Sequence, residues 1–173
     1  MADVTLPTEL LLHMEWADAL MWRAVLGTPA ALADQDMRVR VHHIHAVQQA
    51  YLQIWRGEPV RVSEVESFDN MNDIMRWAAT FYHPAREFFG GLRDADLRRE
   101  VRIPWADELV KRFGVARPAT LAQTLQQVAM HSTHHRGQVY MHLRQLGAEP
   151  PLTDLIMWIW SGQPAAEWME VAR

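Results

Sequence analysis

The chain contains no cysteine, which excludes disulfides, thiolate metal ligands and a cysteine nucleophile. Any thiol or soft-metal chemistry must therefore use histidine, carboxylates or the sulfur of a substrate. Long runs of lysine and arginine are missing too, and the formal net charge is −4. Without a basic footprint, nucleic acid is not an expected partner. No apolar run reaches the roughly 18 residues of a membrane span. Met1 to Pro7 carry neither the basic nor the apolar stretch of a secretory leader. A cytoplasmic protein with no membrane partner is expected. Internal repeats and low-complexity tracts are also absent. What is present is 173 residues, 49% hydrophobic, with eight Trp and ten Met, enough apolar material for one compact domain over residues 1–173.

The most informative stretch is His131-Ser132-Thr133-His134-His135-Arg136-Gly137-Gln138, inside an amphipathic segment over about 120–146. At 3.6 residues per turn, His131 and His135 share a helix face, and Gln138 and His142 continue that line. Leu121, Leu125, Val128, Val139, Leu143 and Leu146 form the neighbouring apolar stripe, so the imidazoles border the core. Two neutral imidazoles four residues apart can bind one cation. No Glu follows His131, so the general base of the HExxH proteases is missing, and a third ligand has to come from elsewhere. A second helix, over about 36–55, offers His42, His43 and His45. His43 lines up with Val39, Val47, Ala50 and Ile54 and is expected inside, as the third ligand. His45 points nearly opposite, toward solvent, and its loss should have no effect.

The first helix starts near Pro7 and stops at Gly27. His13 lies on its apolar stripe, either as a hydrogen-bonded core residue or looking into a pocket. A third helix over about 70–89 is kinked or broken at His83-Pro84, because proline removes a backbone donor. Between 94 and 117 the pattern becomes irregular, and Glu100 to Trp105 alternate like a short strand of a small hairpin. Thr120 with Gln123 forms a capping box that starts the fourth helix. Thr153-Asp154 caps a short terminal helix through Leu155, Ile156, Trp158 and Ile159. The fold class expected is all-α, a four-helix bundle with an irregular excursion between helices three and four and a short C-terminal helix.

The segment His131 to Gln138, continued by Leu143 to Gly147 and on to Pro151 and Asp154, resembles the C-terminal signature of the DinB-like superfamily. His43-Ile44 followed by Tyr51-Leu52 and Gly57 is similar to its helix-two pattern, and Glu15-Trp16-Ala17-Asp18 to its helix-one element. The resemblance implies a four-helix bundle whose three-histidine site, here His43, His131 and His135, holds zinc, nickel or a related divalent ion (iron, manganese, cobalt or copper). Many relatives carry a further histidine four residues before the first ligand of the fourth helix; Gln127 stands there in this chain, which removes a fourth ligand at that position. Characterised relatives include transferases that add low-molecular-weight thiols such as bacillithiol or mycothiol to electrophiles, and a thiol-dependent maleylpyruvate isomerase.

Three functions are therefore in view: a metal-dependent transferase of a low-molecular-weight thiol to a small-molecule electrophile, a metal-dependent hydrolase, and a non-catalytic stress-associated protein that binds a metal or ligand. His13, Gln138 and His142 are the candidates for supporting the ligands or lining a substrate pocket. The large number of Trp residues, with Trp16, Met21 and Trp22 together on the first helix, points to a homodimer.

Overall fold

The computed structural model describes residues 4–170, and these are helical except for one pair of two-residue strands, irregular turns and loops. Helix α1, Thr5–Leu26, carries Pro7 in its first turn, where the missing N–H would have found no partner anyway. A single turn, α2 (Pro29–Leu32), leads into α3, Gln35–Arg56. The Asp34 side chain accepts the Met37 amide at 2.7 Å to start α3, and Gly57, at φ 73°, takes the left-handed conformation that ends it. The third helix of the sequence reading is two, α4 (Met71–Ala79) and α5 (Tyr82–Gly90). The break falls at Thr80-Phe81, a little ahead of Pro84, which thereby sits in the first turn of α5, where proline is tolerated.

The excursion contains the antiparallel pair β1 (Glu100–Val101) and β2 (Ala119–Thr120), with α6 (Ala106–Phe113) between them. The expected hairpin is thus a pairing across a helical insert, with Glu100 opposite Thr120. Helix α7, Leu121–Gln145, opens with the full Thr120–Gln123 capping box, and α8, Leu155–Trp160, follows Asp154. Helix α7 packs on both α1 and α3, α3 on α4, and α1 on α4 and α5. These contacts close a ring of four helical units. Among the described residues, no helix is long and apolar enough to cross a membrane.

The interior has two apolar clusters separated by a polar layer. One cluster joins Leu11, Met14, Tyr51, Trp55, Phe81, Phe89, Leu125 and Val128; the other joins Met21, Trp22, Val41, Ile44, Ile74, Met75, Val139 and Leu143. Along α1, α3 and α7 the residues between the clusters are Asp18, His45 with Gln48, and Ser132 with Arg136, all buried. Asp18 accepts from Arg136 on one oxygen and from Tyr82 and Gln48 on the other. Gln48 also reaches Ser132 Oγ at 3.1 Å. The His45 Nδ1–H donates to Gln48 Oε1 at 2.8 Å, which leaves Nε2 bare to accept Trp22 Nε1–H at 2.8 Å. Every polar group of this chain of contacts has a partner, the condition under which a buried network stabilises rather than costs.

The phase expected for the second helix is therefore corrected. Its core line is Met37, Val41, Ile44, Gln48, Tyr51 and Trp55, whereas Val39 and His43 are exposed. His45 is the interior histidine, because the polar layer receives both of its ring nitrogens. His45→Ala should orphan the Trp22 indole N–H and the Gln48 carbonyl and cost about 2–4 kcal/mol in a urea titration. A loss under 1 kcal/mol would show that the layer tolerates an open hydrogen-bond chain.

Candidate metal centre

His43 and the pair His131 and His135 meet along the seam where α3 packs on α7. The ring centroids of His131 and His135 lie 4.2 Å apart, and those of His43 lie 4.5 Å from His135 and 5.1 Å from His131. One nitrogen from each ring falls within 4.8 Å of the other two. A tetrahedral site with metal–nitrogen bonds of about 2.1 Å needs nitrogens roughly 3.4 Å apart. The three side chains thus form a group that could hold one metal ion.

Partial desolvation lowers the pKa of all three rings, the exposed His43 included. The nearby His135, His43 and His134 add to that effect on His131, bringing it down to about 4. For His43 the causes after burial are His135 and His42; for His135 they are His134 and Arg40, set against the hydrogen bond it donates to Gln138, which raises it. At neutral pH the cluster is three neutral imidazoles, the protonation state of a metal ligand. Gln138 Oε1 lies 3.0 Å from His135 Nδ1, so Nδ1 carries the hydrogen and Nε2 keeps its lone pair. His131 Nδ1 is buried without a hydrogen-bond partner. That contrasts with His45, whose two nitrogens are both bonded. An imidazole left partly unbonded beside two others is out of place in a purely structural cluster, and it fits a group that has a cation to bind.

The other candidates have separate destinations. Gln138 supports His135 and also bonds His134 Nε2 at 3.0 Å. His142 bonds Asp34 Oδ1 at 2.9 Å, which raises its pKa and ties the end of α7 to the N-cap of α3. His13 donates to the Thr153 carbonyl at 2.9 Å. It lines a cavity of about 780 Å³ with Met14, Met130, His134, Arg136 and Tyr140. The three-histidine group is not part of that lining, so His13 stands apart from the cluster.

Sequence reasoning missed the polar layer that holds α7 in place. Arg136 follows His135 directly, and its buried ion pair with Asp18 fixes the rotation of α7 about its axis. A signal was available, since Asp18 sits in line with Leu11, Met14, Met21 and Val25, and Arg136 with Val128, Ser132, Val139 and Leu143, at heptad spacing.

A protein-family model described as DinB family matches residues 1–167. No curated protein matches the chain.

Proposed function

The chain belongs to the DinB family, and from that premise we propose that His43, His131 and His135 hold a divalent cation, zinc or nickel first, with which the protein transfers a low-molecular-weight thiol to a small-molecule electrophile in the cytoplasm. The observation that carries the proposal is the convergence of three neutral imidazoles from α3 and α7, with no carboxylate in the group. When bound, the cation lowers the pKa of a coordinated thiol and stabilises its thiolate. The chain's own part is to present the three lone pairs from two packed helices and to fix the tautomer of His135 through Gln138. In the transfer, the thiol gives its proton to solvent, its sulfur forms a bond to an electrophilic carbon, and that carbon's bond to its leaving group breaks, the electron pair departing with the leaving group. The cysteine-free chain supplies no sulfur of its own. A hydrolase would need a general base beside the site, and among the described residues no aspartate or glutamate belongs to the histidine group.

The test is a screen of metal-loaded protein with an electrophile and several cellular thiols, run beside ester and amide substrates. Thiol-dependent product that disappears in His135→Ala is expected. Ester or amide cleavage without thiol would favour the hydrolase reading, and silence in every assay the non-catalytic one.

Metal affinity should be flat above about pH 6.5, the ordinary histidine value, because the ligands are already neutral there. Their pKa values are lowered, so proton competition sets in below that pH and steepens toward pH 4. Dialysis against zinc across this range measures it; content unchanged at pH 4 would point to carboxylate ligands.

We further propose a homodimer, on a narrower basis than the Trp count. Trp22, Trp55 and Trp158 are buried within the chain, and of the eight only Trp160 is exposed, at 74%. The support is its neighbourhood on α8, where Leu155, Ile156 and Ile159 are exposed as well. Sedimentation equilibrium at micromolar concentration should give twice the chain mass; a single species near 20.0 kDa would rule the dimer out.

A further inference from the structure

Arg40 stands on α3 one turn before His43, a spacing that places the two side chains side by side on the helix surface. Helix α3 packs on α7 and His43 lies at their seam, so the side chain three residues before it on the same helix borders that seam as well. The Nε of Arg40 is buried and has no hydrogen-bond partner. None of the ion pairs among the described residues includes it. Asp34, the acid that reaches the same end of the seam, is engaged by His142 and by the Met37 amide. The seam therefore carries a guanidinium with an unused donor beside three imidazoles with lone pairs to share.

We propose that Arg40 is the anion-binding half of the site and that the thiol substrate carries a carboxylate, which Arg40 grips while the sulfur is held at the histidine cluster. The inference rests on the thiol-transfer reading above and narrows its substrate class. A guanidinium presents a planar fork of donors that matches a carboxylate, and a partly desolvated fork without a protein counter-ion is completed by an anionic ligand. Side chains three residues apart on a helix are about 5–6 Å apart at Cβ, so the carboxylate belongs only a few bonds from the sulfur. A neutral thiol of the same size would leave the guanidinium as it stands in the free protein.

The experiment uses the cobalt-loaded protein and follows its visible absorption during titration with 3-mercaptopropionate, 2-mercaptoethanol and propionate. In the unaltered protein, 3-mercaptopropionate should bind about tenfold more tightly than 2-mercaptoethanol, the scale of one charge-assisted hydrogen bond. Propionate should perturb the spectrum far more weakly than either thiol. In Arg40→Leu the ratio of the two thiols should fall to near one, and Arg40→Lys should retain part of it. Equal binding of the two thiols to the unaltered protein, or a ratio that survives Arg40→Leu, overturns the role of Arg40 while leaving thiol binding intact. A spectrum that responds to neither thiol overturns the thiol-transfer reading and this inference together.

Discussion

Asp18→Ala should destabilise the protein by about 3–5 kcal/mol, the scale of breaking a buried ion pair by removing one partner. Asp18 is fully buried and Arg136 is 2% exposed, so the substitution leaves a guanidinium in the interior with its counter-charge gone. Tyr82 and Gln48 lose their acceptor in the same step. Burial by itself pushes the Asp18 carboxyl up, but Arg136, His45 and the hydrogen bonds from Tyr82 and Gln48 outweigh it and hold the group below the usual range. A depressed carboxylate stabilises the fold above its unfolded pKa, and that contribution is lost as pH falls through the folded value. Urea titration should show a lower midpoint with an unchanged slope. The paired substitution Asp18→Leu with Arg136→Met should recover much of the loss, because two apolar groups replace two charges together. A loss under 1 kcal/mol for Asp18→Ala would mean that water reaches the layer and screens Arg136.

His131→Ala or His135→Ala should have the opposite profile, removing stoichiometric metal binding while the helical fold persists. Neither ring belongs to the two apolar clusters or to the polar layer, and both are partly exposed. A cation left with two imidazoles loses a third of its protein ligands, and weakening by two orders of magnitude or more is expected. His45→Ala provides the contrast, with stability reduced and the metal retained. Equilibrium dialysis with zinc and circular dichroism on the same samples separate the two behaviours. Should His45→Ala empty the site while His43→Ala leaves it filled, the wrong histidine of α3 has been placed in the cluster.

Helix α7 was legible in the sequence down to its rotation. Leu121, Leu125, Val128, Val139 and Leu143 are buried as the apolar stripe required, and Thr120 forms the capping box. Helix α3 was legible in extent but not in phase. Its true core face carries the polar His45 and Gln48, so on a helical wheel the stronger apolar stripe runs through Val39 and Val47 instead. His43 reached the cluster all the same, because the cluster lies on the rim of the α3–α7 seam and not in the core. The interior position of His45 depends on partners from α1 and on Gln48, with Asp18 beyond it, contacts that no single helical wheel displays. The same limit applies to Arg40, whose isolation is visible only once the ion pairs of its neighbours are known. Helix α6 was missed because it is a short insert between paired strands, where the alternating residues before it dominated the pattern.

The most direct test of a cation held by three imidazoles is X-ray absorption at the metal edge on protein purified without an affinity tag. The expected spectrum shows three imidazole nitrogens at about 2.0–2.1 Å, with the remaining coordination from light solvent atoms, and the imidazole scattering is lost in His131→Ala. A shell of carboxylate oxygens, or a spectrum indifferent to that substitution, would contradict it.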